Sequence, residues 1–143
     1  MKVALISSPK KFSATLTEWF TGSRIYHVAL VDEEHGHMYD QHLILRRRLW
    51  PHYDPAHVKL VETPVPVTSE YMERLLSTDD NTYGWIDYCL FAIRPVYHLF
   101  GKSTRNANGV ICSEMVYNVL RDNGWAHEFA MVPSPADLER AIT

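Results

Sequence analysis

The sequence contains few cysteines, and this limits the kinds of protein it can encode. Cys89 and Cys112 are the two present, and no CxxC pair marks a zinc site or a redox motif. Two thiols in 143 residues do not make the disulfide framework of a small secreted domain. We therefore expect both cysteines to carry thiols in a reducing compartment, and we expect no cofactor.

Long apolar runs are also missing. No stretch approaches the ~20 residues that span a bilayer, so no membrane span is expected. At the start of the chain only the run Val3–Ile6 is apolar before Ser7-Ser8-Pro9 ends it, which does not match a signal peptide. These features predict a cytoplasmic protein. Export as part of an assembly, such as a phage particle or a secreted effector, remains an alternative.

No sign of charge dominates. The formal net charge is -3, with acidic and basic residues mixed along most of the chain, which argues against nucleic acid or an anionic membrane as a partner. One basic run, Arg46-Arg47-Arg48, stands apart. We interpret it as a solvated strand end or loop, in preference to a site for phosphate or a lipid head group.

The residues that are present suffice for one hydrophobic core. About 46% are hydrophobic and 22% charged, which excludes general disorder and predicts a single domain over 1–143. Apolar periodicity predicts strands at Val3–Ile6, Arg24–Asp32, His37–Leu45 and Val58–Val61. It predicts helices at Phe12–Phe20, Thr68–Leu76 (capped by Ser69), Trp85–Phe100, Val110–Asn123 and Ala136–Ile142 (capped by Ser134). This order indicates the α+β class.

Cys112 is the first candidate for chemistry. It lies where the helix over Val110–Asn123 is expected to open, after the polar loop Ser103–Gly109. Unpaired N–H groups and the positive end of the helix dipole favour a thiolate there, and the thiolate is the nucleophilic form of cysteine. The alternative is that Cys112 is a small core residue, since cysteine is often fully buried.

A thiolate needs a base, and one of the eight histidines is placed to serve. His27 precedes the apolar run Val28–Val31, so a core strand should hold its ring in position. Asp40 lies on the next predicted strand and could orient the imidazole across a hairpin. The spacing of His35, His37 and His42 would allow a metal site, but no matched acidic or cysteine ligands accompany them, so no metal is expected. These patterns alone do not single out Cys112, His27 and Asp40.

Four segments together resemble the permuted NlpC-like hydrolases, including the YiiX-like and lecithin:retinol acyltransferase-like branches. Thr21–Val31 resembles the segment that leads to the family's catalytic histidine, with Tyr26 where the family often has serine. Ile111–Val116 is similar to its Cys-Ser-Glu motif. Tyr83–Tyr88 and Val132–Leu138 resemble two further conserved segments. The histidine precedes the cysteine, as in the permuted branch.

The resemblance implies a circularly permuted papain-like fold, with an antiparallel sheet packed against helices and Cys112 as nucleophile at a helix N-terminus. It implies His27 as base and Asp40 as the third residue, with Gln41 as the alternative if the register slips by one. The expected activity is hydrolysis of a peptide or amide bond, for example in a peptidoglycan-like peptide, through a thioester. A lipid ester or amide substrate, a non-catalytic binding or structural module, and a redox thiol paired with Cys89 are the alternatives.

Overall fold

The computed structural model describes residues 1–7, 24–42, 45–78, 107–130 and 132–143. The expected helices Phe12–Phe20 and Trp85–Phe100 lie outside these residues, as does Cys89. The described part is an antiparallel sheet packed against helices, which confirms the α+β class.

Five strands form the sheet in the described part of the chain. They are β1 (Lys2–Ser7), β2 (Ile25–Asp32), β3 (His37–Gln41), β4 (Leu45–Leu49) and β5 (Val58–Glu62). The spatial order is β4-β3-β2-β1-β5, and every neighbouring pair is antiparallel. β-Branched and aromatic residues fill β2, as a central strand with two covered faces requires.

The expected hairpin joins β2 to β3. Leu30 pairs with Tyr39 and Asp32 pairs with His37, and the turn between them is closed by Gly36 at a φ of 66°. Only a residue without a Cβ adopts this left-handed conformation readily. The hairpin register therefore sets which side chains of the two strands share a face.

The prediction of one strand over His37–Leu45 is wrong at its C-terminal end. The strand stops at Gln41, and a separate strand, β4, begins at Leu45 and carries the three arginines. It pairs with β3 at the end of the described sheet, with Arg46 opposite Asp40. Charged side chains are common on such edge strands, so the arginine run is compatible with a strand there.

Helices α1 (Ser69–Thr78), α2 (Ala107–Asp122) and α3 (Pro135–Ile142) follow, with a 3₁₀ turn at Pro55–His57 before β5. None of these described helices has the length and apolar character needed to cross a membrane. At the start of α1 the predicted cap is displaced by one residue. Thr68 Oγ1 accepts the Tyr71 N–H at 3.2 Å, whereas the Ser69 hydroxyl donates to Asp32.

The first residue of α2 also differs from the prediction, and this bears on Cys112. The helix begins at Ala107 and not at Val110, so Cys112 is in its second turn. Asn108 and Gly109, predicted from the sequence to belong to the preceding loop, disfavour a helix by at most ~1 kcal/mol each, which tertiary packing can override. The dipole effect falls off within the first turn, so the helix terminus contributes less at Cys112 than expected.

The C-terminal segment is fixed by two terminal motifs. Gly124 ends α2 at a φ of 99°, and the Trp125 N–H donates to Leu120 O at 3.0 Å. At α3 a capping box is formed, because Ser134 Oγ accepts the Asp137 N–H while the Asp137 carboxylate accepts the Ser134 N–H.

This capping box gives a measurable expectation for stability. Ser134→Ala removes the acceptor of the Asp137 N–H and should lower the free energy of unfolding by about 1 kcal/mol. Ser77→Ala is the control, because the exposed Ser77 hydroxyl donates to the Arg74 carbonyl in its own helix. Urea unfolding followed by circular dichroism measures both, and equal midpoints for the two variants would contradict the role of the cap.

The sheet has two different faces. One face packs on α2 and α3 and includes the buried residues Val3, Leu5, Val28, Leu30 and Tyr39. The other face includes Ala4, Ile6, Ala29, Val31 and Met38, against which Tyr26, Trp50, Tyr53, Val58 and Leu60 pack. Residues of the β4–β5 connection thus lie over the second face, and this is the face that carries His27.

Candidate active site

His27 and Asp40 meet across the β2–β3 hairpin. Leu30 and Tyr39 form a pair on the helix-packed face, so alternation places His27 and Asp40 on the second face. Nε2 of His27 lies 3.6 Å from Oδ2 of Asp40, and both side chains are almost fully buried. Gln41, the alternative third residue, lines a cavity with Tyr71 and Met115 on the helix-packed side.

A shift in strand pairing occurs at His27. Ile6 of β1 pairs with His27, whereas Ser7 pairs with Ile25, so Tyr26 is an additional residue in β2. Ile25 belongs to the helix-packed core, while Tyr26 packs on the second face beside the His27 ring, with a centroid distance of 6.2 Å. Such irregularities re-aim side chains at strand ends, and this one places Tyr26 and His27 together.

Cys112 approaches His27 from α2. Its side chain is fully buried in the helix-packed core. The next residue fixes the helix locally, since the Ser113 hydroxyl donates to the Pro133 carbonyl at 2.5 Å. The Cys112 sulfur interacts with the His27 ring and influences the titration of Tyr26 and Tyr53. Cys112 thus belongs to the helix-packed core and also interacts with His27 of the second face.

The His27 ring is held in its cationic form. Burial alone would lower the pKa of His27, but the attraction of the neighbouring Asp40 and Cys112 outweighs it and raises the pKa to about 9. The distance of 3.6 Å to Asp40 is longer than a normal hydrogen bond. Nε2 is accordingly a buried atom with no hydrogen-bond partner among the residues that the structure describes.

Arg48 is a member of the site that sequence reasoning missed. Its Nε donates to both oxygens of Asp40, at 3.0 and 3.2 Å. Burial alone would raise the pKa of Asp40, but His27 and Arg48 together hold it below its usual value. The signal was present in the arginine run, but Arg46 is the residue paired with Asp40, and Arg48 reaches the carboxylate diagonally from its position opposite Met38.

His42 is a second residue that sequence reasoning did not assign to the site. Its ring stacks on His27, with centroids 4.5 Å apart and an interplanar angle of 8°, and its Nε2 lies 3.4 Å from Asp40 Oδ2. Burial and repulsion from the His27 cation lower the pKa of His42. His42 follows Asp40 by two residues, a spacing that places both on one face of a strand and could have indicated this contact.

Two groups of described side chains are close enough to hold a metal ion. One is His27, Asp40 and His42, and the other is Asp32, Glu34 and His35. The three histidines His35, His37 and His42 therefore do not form one cluster. His42 belongs to the first group and His35 to the second, and His37 belongs to neither. In the second group Asp32 already accepts from the Ser69 hydroxyl and contacts His35 Nδ1 at 2.8 Å.

Two tyrosines complete the site. Burial, followed by charge repulsion from Cys112, raises the pKa of Tyr26. Burial is also the main cause that raises the pKa of Tyr53 to about 12, with contributions from Asp40 and Tyr26. Both hydroxyls therefore stay protonated at neutral pH and can donate hydrogen bonds near Cys112.

The described geometry brings Cys112, His27 and Asp40 together in the order that acid–base and nucleophilic chemistry needs. Any inference about function depends on this geometry, because comparisons with known proteins supply none. No protein-family model, no curated protein and no solved structure matches this chain.

Proposed function

We propose that this protein is a cysteine hydrolase of the permuted NlpC-like, papain-like type, which cleaves an amide or peptide bond. The supporting observation is the position of His27, a buried cation in contact with Cys112 and Asp40. A buried imidazolium requires compensating negative charge. In the proposed resting state Asp40 and the Cys112 thiolate provide it.

Catalysis begins with attack of the Cys112 sulfur on the carbonyl carbon of the substrate. The carbon–nitrogen bond then breaks, and His27 gives its proton to the leaving amine, which leaves an acyl thioester on Cys112. A water molecule attacks the thioester while the neutral His27 takes up one of its protons. Release of the carboxylic acid product then restores the thiolate and the imidazolium.

Asp40 orients the base in this scheme. Because Nε2 of His27 is turned to Asp40, Nδ1 is the nitrogen that exchanges the proton with sulfur and substrate. Arg48 holds the carboxylate from the other side. Tyr26 and Tyr53 supply O–H donors near the developing negative charge on the carbonyl oxygen.

The proposal is tested by trapping the acyl-enzyme. Incubation with p-nitrophenyl acetate should acetylate Cys112, and mass spectrometry of the intact protein and its peptides should show the adduct form and then disappear. Cys112→Ser is the matched variant and should show no adduct at this position. Acetylation at Cys89 alone, or an adduct on Cys112 that never hydrolyses, would contradict the proposed hydrolase.

The burial of the site favours one further candidate, a non-catalytic module that keeps the same residues. Cys112 is 0% exposed and His27 is 2% exposed, as is typical of core side chains. A structural role predicts that p-nitrophenyl acetate and iodoacetamide both fail to modify native Cys112 but modify it after unfolding. The acyl-enzyme experiment therefore also decides between the two candidates.

A further inference from the structure

Two imidazole nitrogens converge on a single carboxylate oxygen in the candidate active site. Nε2 of His27 lies 3.6 Å from Oδ2 of Asp40, and Nε2 of His42 lies 3.4 Å from the same oxygen. The ligand atoms of the three residues all lie within 4.8 Å of one another. This arrangement brings two imidazole nitrogens and one carboxylate oxygen to one small volume, in which Nε2 of His27 must give up its proton to bind a metal ion.

The two separations to Asp40 match those around a tetrahedral metal ion. Zinc bonds to nitrogen and oxygen are about 2.0–2.2 Å long, so two ligand atoms of a tetrahedral ion are roughly 3.3–3.6 Å apart. Both measured separations fall close to this range. The distance from His27 to Asp40 is at the same time too long for a hydrogen bond.

His27 provides the second, independent observation. Its Nε2 is a buried side-chain nitrogen without a hydrogen-bond partner among the described residues, and it faces this volume. Burial of such an atom without a partner costs free energy. A metal ion bonded to Nε2 would remove this cost.

The surroundings of the cluster suit an ion that enters from solvent. Arg48 donates to both oxygens of Asp40 and so orients the carboxylate, as partners of metal ligands commonly do. The side chain of His42 is 46% exposed. Because its ring now lies parallel to that of His27, it must turn for its nitrogen to point at the same ion, and its exposure leaves room to turn.

We infer that His27, Asp40 and His42 form a binding site for Zn²⁺, with water as the fourth ligand. Two imidazoles and one carboxylate with an open position are a common donor set for zinc, whereas Mg²⁺ prefers oxygen ligands alone. Zinc on Nε2 would take the place of the Asp40 contact that orients His27 in the proposed mechanism. Resting on the proposed function, this predicts reversible inhibition of the hydrolase by zinc.

The test is titration of the purified protein with Zn²⁺ against a chromophoric chelator, with Mg²⁺ as the comparison ion. Wild type should bind one Zn²⁺, and His42→Ala should weaken this binding at least ~10-fold. The matched control is His35→Ala, taken from the second cluster, and it should bind as wild type does. Cys112→Ser should also bind as wild type, because the assigned ligands do not include sulfur.

Three outcomes would overturn the inference. They are absence of zinc binding, binding that survives His42→Ala but is lost in His35→Ala, and binding that is lost in Cys112→Ser. Circular dichroism of each variant checks that it is folded. Zinc binding by Cys112→Ser does not depend on an active thiol, so it can stand even where the acyl-enzyme experiment fails.

Discussion

Replacement of His27 by alanine should slow the alkylation of Cys112 by iodoacetamide at least ~10-fold at about pH 6.5. An ordinary thiol with a pKa of ~8.5 is only about 1% ionised at that pH. In the wild type the His27 cation beside Cys112 favours the thiolate, which is the reactive form, so alkylation should be faster than that of an unassisted thiol. The variant loses this cation and should react as an unassisted thiol.

The measurement is the alkylation rate at Cys112 between about pH 5 and 9.5, followed by peptide mass spectrometry. Cys89 in the same sample provides an internal comparison. His127→Ala is the control variant, because His127 is exposed and packs on Trp125 and Phe129, away from Cys112. Identical pH profiles for wild type and His27→Ala would show that His27 does not activate the thiol and would contradict the proposed mechanism.

Replacement of Arg48 by methionine should lower the free energy of unfolding by about 3 kcal/mol at neutral pH, because it leaves a buried carboxylate without its guanidinium partner. Asp40 is 0% exposed, and Arg48 donates to both of its oxygens. Arg47→Met is the matched control on the same strand. Arg47 pairs with Glu73 at the surface, where ion pairs contribute little.

The loss of unfolding free energy caused by Arg48→Met should become smaller in acid. The pKa of Asp40 in the folded protein lies below its ordinary value of 3.8, so the stability from its ionised form is present above that pH. This contribution to stability is lost as the pH falls through the lowered pKa that Asp40 has in the folded protein. Urea unfolding at neutral and acidic pH measures this, and a cost that is equal for both variants, or that grows in acid, would contradict the assigned pairing.

The sequence predicted the parts of the fold that depend on local pattern. The β2–β3 hairpin follows from two apolar strands separated by a turn that ends in Gly36, and the hairpin brings Asp40 to His27. The stop at Gly124 and the cap at Ser134 follow from residues with defined roles at helix ends. In each case the few residues involved determine the conformation themselves.

The remaining features depend on contacts that a sequence pattern does not contain. Asn and Gly near the start of α2 suggested a loop, but the helix extends through them and moves Cys112 into its second turn. Arg48 and Asp40 meet only because β4 pairs with β3 in one particular register. Local propensity is weak compared with such pairing and packing, so neither feature could be read from the residues alone.

The two halves of the proposed catalytic set come together over very different distances along the chain. His27 and Asp40 belong to one hairpin with a short turn, and hairpins of this kind close within about 1–10 μs in isolated peptides. Cys112 comes from a helix much later in the sequence, and contacts of that separation form slowly, since a long loop must close first. The base and its carboxylate can therefore pair early during folding, whereas an activated thiol appears only when α2 has docked. A newly made chain would thus acquire the proposed nucleophile only after the residues that activate it are already in place.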